Sequence, residues 1–329
     1  MSSFVLPKVY VGLPIQEAGL ELMRGKVDFK IWDKEGAPPR EEVLSSLKDV
    51  EGFLSGLFVR VDDELLDAAP KLKVVSNYAV GYDNIDVPAA TKRGICVTNT
   101  PDVLTPATAD LAFALILASA RRVIEASAFL RSGDWKVWGP ELLVGREVAG
   151  STLGIIGFGK IGQAVARRAR GFDMNILYFD AERRPDVEQT LGAKYAPLDE
   201  LLKGSDFVTL HCNLTEQTKN IIGEKELRMM KETAILINTA RGPLVDQAAL
   251  YRACSEKWIW GAGLDVFVKE PVPLDEPLLT LPNVTTLPHI GSASRVARDG
   301  MARKAASNLL SALVGERPLD LVNPEVWKA

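Results

Sequence analysis

Residues 151–169 read STLGIIGFGKIGQAVARRA, an apolar run that leads through three glycines into an amphipathic helical pattern. Gly157, Gly159 and Gly162 stand in G-x-G-x-x-G spacing, directly after the run and directly before the helix. Each glycine has its own physical reason. Gly157 permits a tight turn, Gly159 lets backbone approach a pyrophosphate, and Gly162 lets helix and strand pack closely. The helix N-terminus then presents unpaired N–H groups to phosphate. The next strand-like run, NILYFD, ends in Asp180, 18 residues beyond Gly162, near the about 20 expected of a ribose-binding acid. A carboxylate there accepts hydrogen bonds from ribose hydroxyls and repels a 2′-phosphate, which favours NAD. Arg183 and Arg184 follow closely; they either welcome that phosphate, leaving NADP open, or form a solvated charged turn.

Outward from this segment, strand-like and helix-like stretches alternate, the pattern of α/β architecture with parallel sheets. One set of short apolar runs occupies the first hundred residues, at Lys8 to Val11, Phe29 to Trp32, Gly52 to Val59, Leu72 to Ser76 and Ile95 to Val97. A long helical pattern, Thr105 to about Ser132, connects it to a second set. That set has six runs: Thr152 to Ile156, Asn175 to Phe179, Phe207 to Leu210, Ala234 to Asn238, Gly263 to Val266 and Val284 to Leu287. A last helix, Ser294 to about Val314, has no strand partner of its own and is expected to pack back on the N-terminal domain. The reading is therefore two doubly wound parallel-sheet domains. Residues 101–290 form a Rossmann dinucleotide-binding domain, and residues 1–100 with 291–329 form a flavodoxin-like substrate-binding domain, with the cleft between them.

Length and composition agree. The chain has 329 residues, 47% hydrophobic and 25% charged, enough for about two domains at roughly 150 residues each. Its net charge of −4 offers no electrostatic footprint for nucleic acid or anionic lipid. The longest apolar run, Leu111 to Ala118, is far short of the about 18 residues of a bilayer span. The N-terminal MSSFVLPKVYVGLP reads as a first strand rather than a secretory signal. Cys96, Cys212 and Cys254 are odd in number and widely separated, which suggests no disulfide framework and no zinc site. The expectation is a cytoplasmic protein with no metal.

Two histidines are present. His289 lies in LPHIGS just after a strand, beside Gly291, where doubly wound sheets place ligand-contacting groups. Arg241 follows a strand in INTARGPLVD, and Glu270 follows another in LDVFVKEP. The ordered set G-x-G-x-x-G, TARG, KEP and PHIGS resembles the D-isomer-specific 2-hydroxyacid dehydrogenases over nearly the whole chain. NYAVGYDNID with the ending LVNPEVW looks most like their glyoxylate/hydroxypyruvate reductase branch.

The resemblance implies an NAD-dependent enzyme, with NADP as the other option, that reduces a small 2-keto acid such as glyoxylate or hydroxypyruvate. His289 would be the proton donor and acceptor, since its neutral and cationic forms interconvert near neutral pH. Glu270 would bond the other ring nitrogen and stabilise the imidazolium. Arg241 would bind the α-carboxylate through a planar fork that lysine cannot reproduce. Backbone amides at Val80 and Gly81, in a loop shaped by Asn77, Tyr78 and Asp83, would bind the same carboxylate. Thr108, Lys160, Ile161, Thr239, Ala240, Asp265 and Gly291 match positions that line the cofactor. His211 in LHCNLT lacks an acid neighbour in sequence and reads as cofactor-side or structural, and Cys212-Asn213 there departs from the commoner family form.

Trp135 and Trp138, in RSGDWKVWGP, fall where related reductases carry an arm that embraces a second subunit. The expectation is a homodimer in which Trp138 closes the neighbour's pocket; the alternative is a pair of core or surface-packing tryptophans. Two other functional readings stand beside the reductase. One is an NAD-sensing corepressor-like binding protein, and the other is a dehydrogenase for another 2-hydroxy acid such as D-gluconate, interconverted with 2-ketogluconate.

Overall fold

Every strand pairing within the two sheets is parallel, and in each sheet the central strands are covered on both faces. The computed structural model describes residues 5–327, so the expected domain limits at residues 1 and 329 lie outside the described residues. The chain divides into two units. One runs through Leu104 and resumes at Ser292; the other is Thr105–Gly291.

The first unit holds β1 (Lys8–Val11), β2 (Asp28–Ile31), β3 (Gly52–Ser55), β4 (Val74–Asn77) and β5 (Cys96–Thr98), in the order β2-β1-β3-β4-β5. This is the flavodoxin-like doubly wound order. β3 stops at Ser55, short of the expected Val59, because Gly56 opens a turn in which Val59 N–H donates to the Gly56 carbonyl. The helix Arg295–Leu313 belongs to this unit; Ser294 caps it by accepting from Ala297 N–H at 3.2 Å. It lies along the helix Glu17–Met23, and Gly19 makes that approach possible, since a Cβ there would stand 2.7 Å from the Ala302 carbonyl oxygen. Buried Asn323 extends the edge of β5, accepting from Val97 N–H at 2.8 Å and donating to the Ile95 carbonyl at 2.9 Å. That is the structural use of LVNPEVW.

The second unit holds β6 (Thr152–Ile156), β7 (Asn175–Phe179), β8 (Ala193–Tyr195), β9 (Phe207–Leu210), β10 (Ile235–Asn238), β11 (Gly261–Leu264) and β12 (Val284–Thr286). Their order is β12-β11-β10-β9-β6-β7-β8, the dinucleotide-binding arrangement with one strand added. The strand order reverses direction across the sheet between β6 and β9, and the C-terminal ends of such a pair are where doubly wound sheets bind ligands. β8 is the strand that the sequence pattern does not reveal: it is three residues long, with Lys194 and Tyr195 exposed, and has no apolar run to mark it.

The long helix expected from Thr105 to about Ser132 is two helices, Thr105–Ala120 and Val123–Arg131. Arg122 between them is left-handed at φ +51°, and its guanidinium grips Glu125 at 2.8 and 2.7 Å. The Ala120 carbonyl accepts from Arg146 N–H at 2.7 Å, so the chain returning after the second helix ends the first. The division between units also falls later than residue 100. Thr100 N–H donates to Ala79 at 2.8 Å, and Val103 packs on Gly300, which ties these residues to the first unit.

Replacing Gly19 with alanine should destabilise the first unit by about 1–3 kcal/mol, because the helix pair cannot accept the added methyl without separating. Thermal unfolding of Gly19→Ala measures this; a melting temperature equal to wild type would show that the contact yields freely.

Candidate active site

The glycine loop is built by close backbone approach. Gly157 has φ +91°, and a Cβ on it would meet Cys212 N at 2.4 Å, where the chain leaves β9. A Cβ on Gly162 would stand 2.2 Å from the Gly157 carbonyl oxygen. Both positions therefore demand glycine for the protein's own packing. Gly159 differs: a Cβ there would meet nothing within 4 Å, and φ is −71°. Nothing in the protein requires glycine at that position, at the N-cap of the helix Lys160–Ala169 that carries Lys160 and Ile161 in its first turn. The missing side chain keeps the helix N-terminus open to an anion.

Asp180 follows β7 and accepts from Phe158 N–H, inside the glycine loop, at 2.6 Å. Phe158 stacks on buried Tyr178 with ring centroids 4.1 Å apart. Tyr178 in turn donates to Glu188 at 2.7 Å, and Glu188 receives Arg183 through two bonds at 2.8 and 3.0 Å. The Arg183 guanidinium and the Tyr178 hydroxyl together pull the Glu188 carboxyl down to about 2. Arg183 is thus tied in a bidentate pair, while Arg184 opens the helix Pro185–Leu191.

The second cluster lies at the C-terminal ends of β10, β11 and β12. Asn238, buried at the end of β10, donates to the Arg241 carbonyl at 2.8 Å and accepts from Ala240 N–H at 3.0 Å, which shapes the loop of Thr239, Ala240 and Arg241. Asp265, fully buried just past β11, accepts from Ile290 N–H at 2.8 Å and Gly291 N–H at 2.7 Å, while its carbonyl accepts from His289 N–H at 2.9 Å. Burial pushes the Asp265 carboxyl above the usual range, against the pull of those N–H donors and of His289. His289 is held at φ +54°. Its Nδ1 lies 2.6 Å from Glu270 Oε2, and Glu270 Oε1 accepts from Phe267 N–H at 2.9 Å. Against an ionised carboxylate Nδ1 carries the hydrogen, which leaves Nε2 as the atom that exchanges a proton.

Thr108 is buried on the helix Thr105–Ala120, and its side chain lies within 3.5 Å of a Cβ placed on Gly291. The Thr239 hydroxyl is buried with no hydrogen-bond partner among the described residues. An orphan hydroxyl of this kind is completed by a bound molecule or by water. Together with the open N-cap at Gly159 and the anchored Asp180, it makes the residues present fit a dinucleotide. Among the described residues no group of three or more His, Cys, Asp and Glu is arranged to hold a metal ion, and no helix is long and apolar enough to cross a membrane.

Matching residues 113–291 is the family model described as D-isomer specific 2-hydroxyacid dehydrogenase, NAD binding domain. The chain belongs to the D-isomer-specific 2-hydroxyacid dehydrogenase family. It is 54% identical over 323 residues to the glyoxylate reductase of Korarchaeum cryptofilum, covering 98% of this chain and 97% of that one. A crystal structure of a Thermus thermophilus protein matches with TM-score 0.90 and 44% identity, covering 96% and 99% of the two chains. The NADPH-dependent glyoxylate/hydroxypyruvate reductase of Sinorhizobium meliloti, solved with NADP and malonate, matches with TM-score 0.84 and 33% identity over 98% of each chain.

Other residues singled out in the sequence fall into three places. Val80 and Gly81 lie in the first unit, where Asn99 donates to the Val80 carbonyl at 2.8 Å and Asn77 to the Gly81 carbonyl at 2.9 Å. Tyr78 braces the same stretch by donating to the Arg298 carbonyl at 2.9 Å, and Asp83 follows in it. Trp135 and Trp138 are not core residues; they are 54% and 75% exposed. His211, beside Gly157, shares its Nε2 with Thr209 Oγ1 at 2.9 Å, and burial lowers it to about 3. Residues that sequence reasoning did not single out include Asn238, Gly242 and Gln247. Gly242 lies in the TARG motif, but only the structure shows why it is glycine: a Cβ there would stand 1.9 Å from the Phe267 carbonyl carbon.

Gly159→Ala should melt within about 1 °C of wild type yet bind NADH at least about tenfold more weakly in a fluorescence titration, since the methyl enters space that the protein leaves open. Equal binding would remove Gly159 from the cofactor contact. His211, held neutral when folded, refuses a proton that the unfolded chain accepts below about pH 6.5. Stability is therefore lost as pH falls from there toward 3, and His211→Asn should flatten the decline in melting temperature between pH 7 and 4.5. An unchanged slope would show that His211 takes up its proton in the folded state.

Proposed function

We propose that this chain reduces glyoxylate and hydroxypyruvate to the corresponding 2-hydroxy acids, with Arg241, Glu270 and His289 as its catalytic residues. The observation that carries the reading is the 2.6 Å contact of Glu270 with His289 Nδ1 in the same unit as the dinucleotide loop. A nicotinamide dinucleotide bound by these residues would supply the hydride that reduces the carbonyl carbon of the keto acid. His289 delivers a proton from Nε2 to the carbonyl oxygen, and Glu270 holds the ring and stabilises the imidazolium before transfer. Arg241 takes the α-carboxylate in its planar fork and polarises the adjacent carbonyl. The reading also assigns Val80 and Gly81, in the first unit, as substrate-binding residues through their backbone N–H groups, their carbonyls being already engaged by Asn99 and Asn77.

For the dinucleotide the reading assigns Thr108, Gly157, Gly159, Lys160, Ile161, Gly162, Asp180, Thr239, Ala240, Asp265 and Gly291, all within the unit Thr105–Gly291. NADH is the preferred form. Asp180 follows β7 at the position expected of a ribose-binding acid, and Arg183 is engaged by Glu188. The relatives named glyoxylate reductase support the substrate class, and the NADPH-dependent reductase solved with NADP and malonate keeps NADPH as the other option. A cytoplasmic homodimer completes the proposal. Val137 and Trp138, both 75% exposed, give the segment after the helix Val123–Arg131 an apolar surface suited to a second copy. The three cysteines are free thiols.

Initial rates of reduced-cofactor oxidation test the reading. Glyoxylate and hydroxypyruvate should be turned over, faster with NADH than with NADPH, and His289→Ala should lower kcat by about 10²–10⁴-fold. No turnover of either acid, or turnover that survives His289→Ala, overturns it.

A further inference from the structure

The loop that carries Glu270 is pinned from outside the catalytic set. Val268 N–H, two residues before Glu270, donates to Gln247 Oε1 at 3.0 Å, and Gln247 Nε2 donates to Glu276 Oε2 at 2.6 Å. Glu276 is fixed in its turn, because its other oxygen accepts from Leu278 N–H at 3.2 Å. Gln247 is also the first residue of the helix Gln247–Ser255, whose cap Asp246 accepts from Ala249 N–H at 3.0 Å. That helix follows directly on the turn Gly242–Leu244 next to Arg241. The segment leaving Arg241 therefore meets the segment entering Glu270 twice, at the backbone contact of Gly242 with Phe267 and at the Gln247 amide.

We infer that Gln247 is a positioning residue that sets the spacing between Arg241 and the Glu270–His289 pair, using its two-ended amide as a strut between Val268 and Glu276. The inference rests on the catalytic roles proposed above. The amide suits this place because it presents one acceptor and donors at once. A carboxylate would face Glu276 without a proton between them, and an apolar side chain would leave Val268 N–H unheld. Released from Gln247, the Phe267–Glu270 turn keeps its contact with Gly242 and its own Phe267 N–H bond to Glu270 Oε1, but the turn as a whole is no longer tied to the helix Gln247–Ser255, and the aim of Glu270 at Nδ1 shifts with it. Small misplacements of this kind are costly, about 10²-fold for 1 Å in a reacting constellation.

The test uses the full-length protein and two readouts. Gln247→Leu and Gln247→Ala should lower kcat for glyoxylate at least about tenfold and narrow the pH profile of kcat/KM, while NADH affinity by fluorescence stays within about twofold. The exchanged pair, Gln247→Glu with Glu276→Gln, rebuilds both hydrogen bonds with the groups reversed and should recover kcat to within about threefold of wild type. The second readout needs no turnover. The Nδ1 proton of His289, identified in the downfield proton NMR spectrum by its loss in His289→Ala, should be seen in wild type and in the exchanged pair, and should disappear by exchange with water in Gln247→Leu and Gln247→Ala. A wild-type protein that turns over no keto acid counts against the proposed function and leaves the NMR comparison to decide the strut. Unchanged kcat with the downfield proton retained in Gln247→Ala overturns the inference. So does an exchanged pair as damaged as Gln247→Leu.

Discussion

Asp265 is the constraint on which the rest of the site depends. Its side chain takes the N–H groups of Ile290 and Gly291, and its carbonyl takes that of His289, so three consecutive residues hang on one buried position at the end of β11. Such a turn is not one that the chain adopts freely, since His289 sits in the left-handed region that a residue with a Cβ avoids. Burying the carboxylate carries a desolvation cost, visible in the upward push on its proton affinity. Two charge-assisted hydrogen bonds offset that cost, and each is worth more than a neutral bond. The result is a histidine whose backbone cannot wander, so that a single further contact, to Glu270, is enough to orient the ring.

Glycine completes what Asp265 begins, by letting backbones touch. At Gly242 the strand-end loop of β10 lies against Phe267, closer than any side chain permits. Gly157 and Gly162 do the same at β6, bringing the helix Lys160–Ala169 onto the strand and the β6 turn onto the start of the His211 loop. These contacts join neighbouring C-terminal strand ends into one surface. The parallel sheet supplies this for a general reason: all its strands end on the same side, and the loops that leave them are neighbours whatever their separation in sequence. Arg241, Glu270 and His289 follow three adjacent strands, β10, β11 and β12.

How much of this could be read from the amino acids follows from the range of the forces involved. β6 and β9 are legible to the residue because strands buried on both faces are near-continuous apolar runs. β8 escapes because it is an edge strand of three residues, and edges need no apolar pattern. The break at Arg122 escapes because its cause, the return of the chain at Gly145 and Arg146, lies more than 20 residues away. In the candidate site, Arg241, Glu270 and His289 are legible as candidates, since hydride and proton transfer need particular groups beside particular glycines. The groups that aim them are not. Gln247 and Asn238 are ordinary polar residues, and Gln247 acts through hydrogen bonds to residues 21 and 29 positions distant. Asp265 draws notice in the sequence only through the family resemblance, and its hold on the His289 turn emerges only from geometry.

The two histidines show what placement adds to residue type. Both follow a strand in the same sheet, His211 just after β9 and His289 just after β12. The ring of His211 is largely desolvated and bonded to a neutral hydroxyl, with no carboxylate bonded to it, so a positive charge there is poorly answered and burial favours the neutral imidazole. His289 has a carboxylate 2.6 Å from Nδ1, and that carboxylate is itself fixed by a backbone N–H. A charge on this ring meets an oriented counter-charge at the moment it forms, which is the condition for stabilising an ionic transition state without reorganising the surroundings. Exchanging the two environments would exchange the two roles, because the difference lies in a hydroxyl against a carboxylate and not in the imidazole.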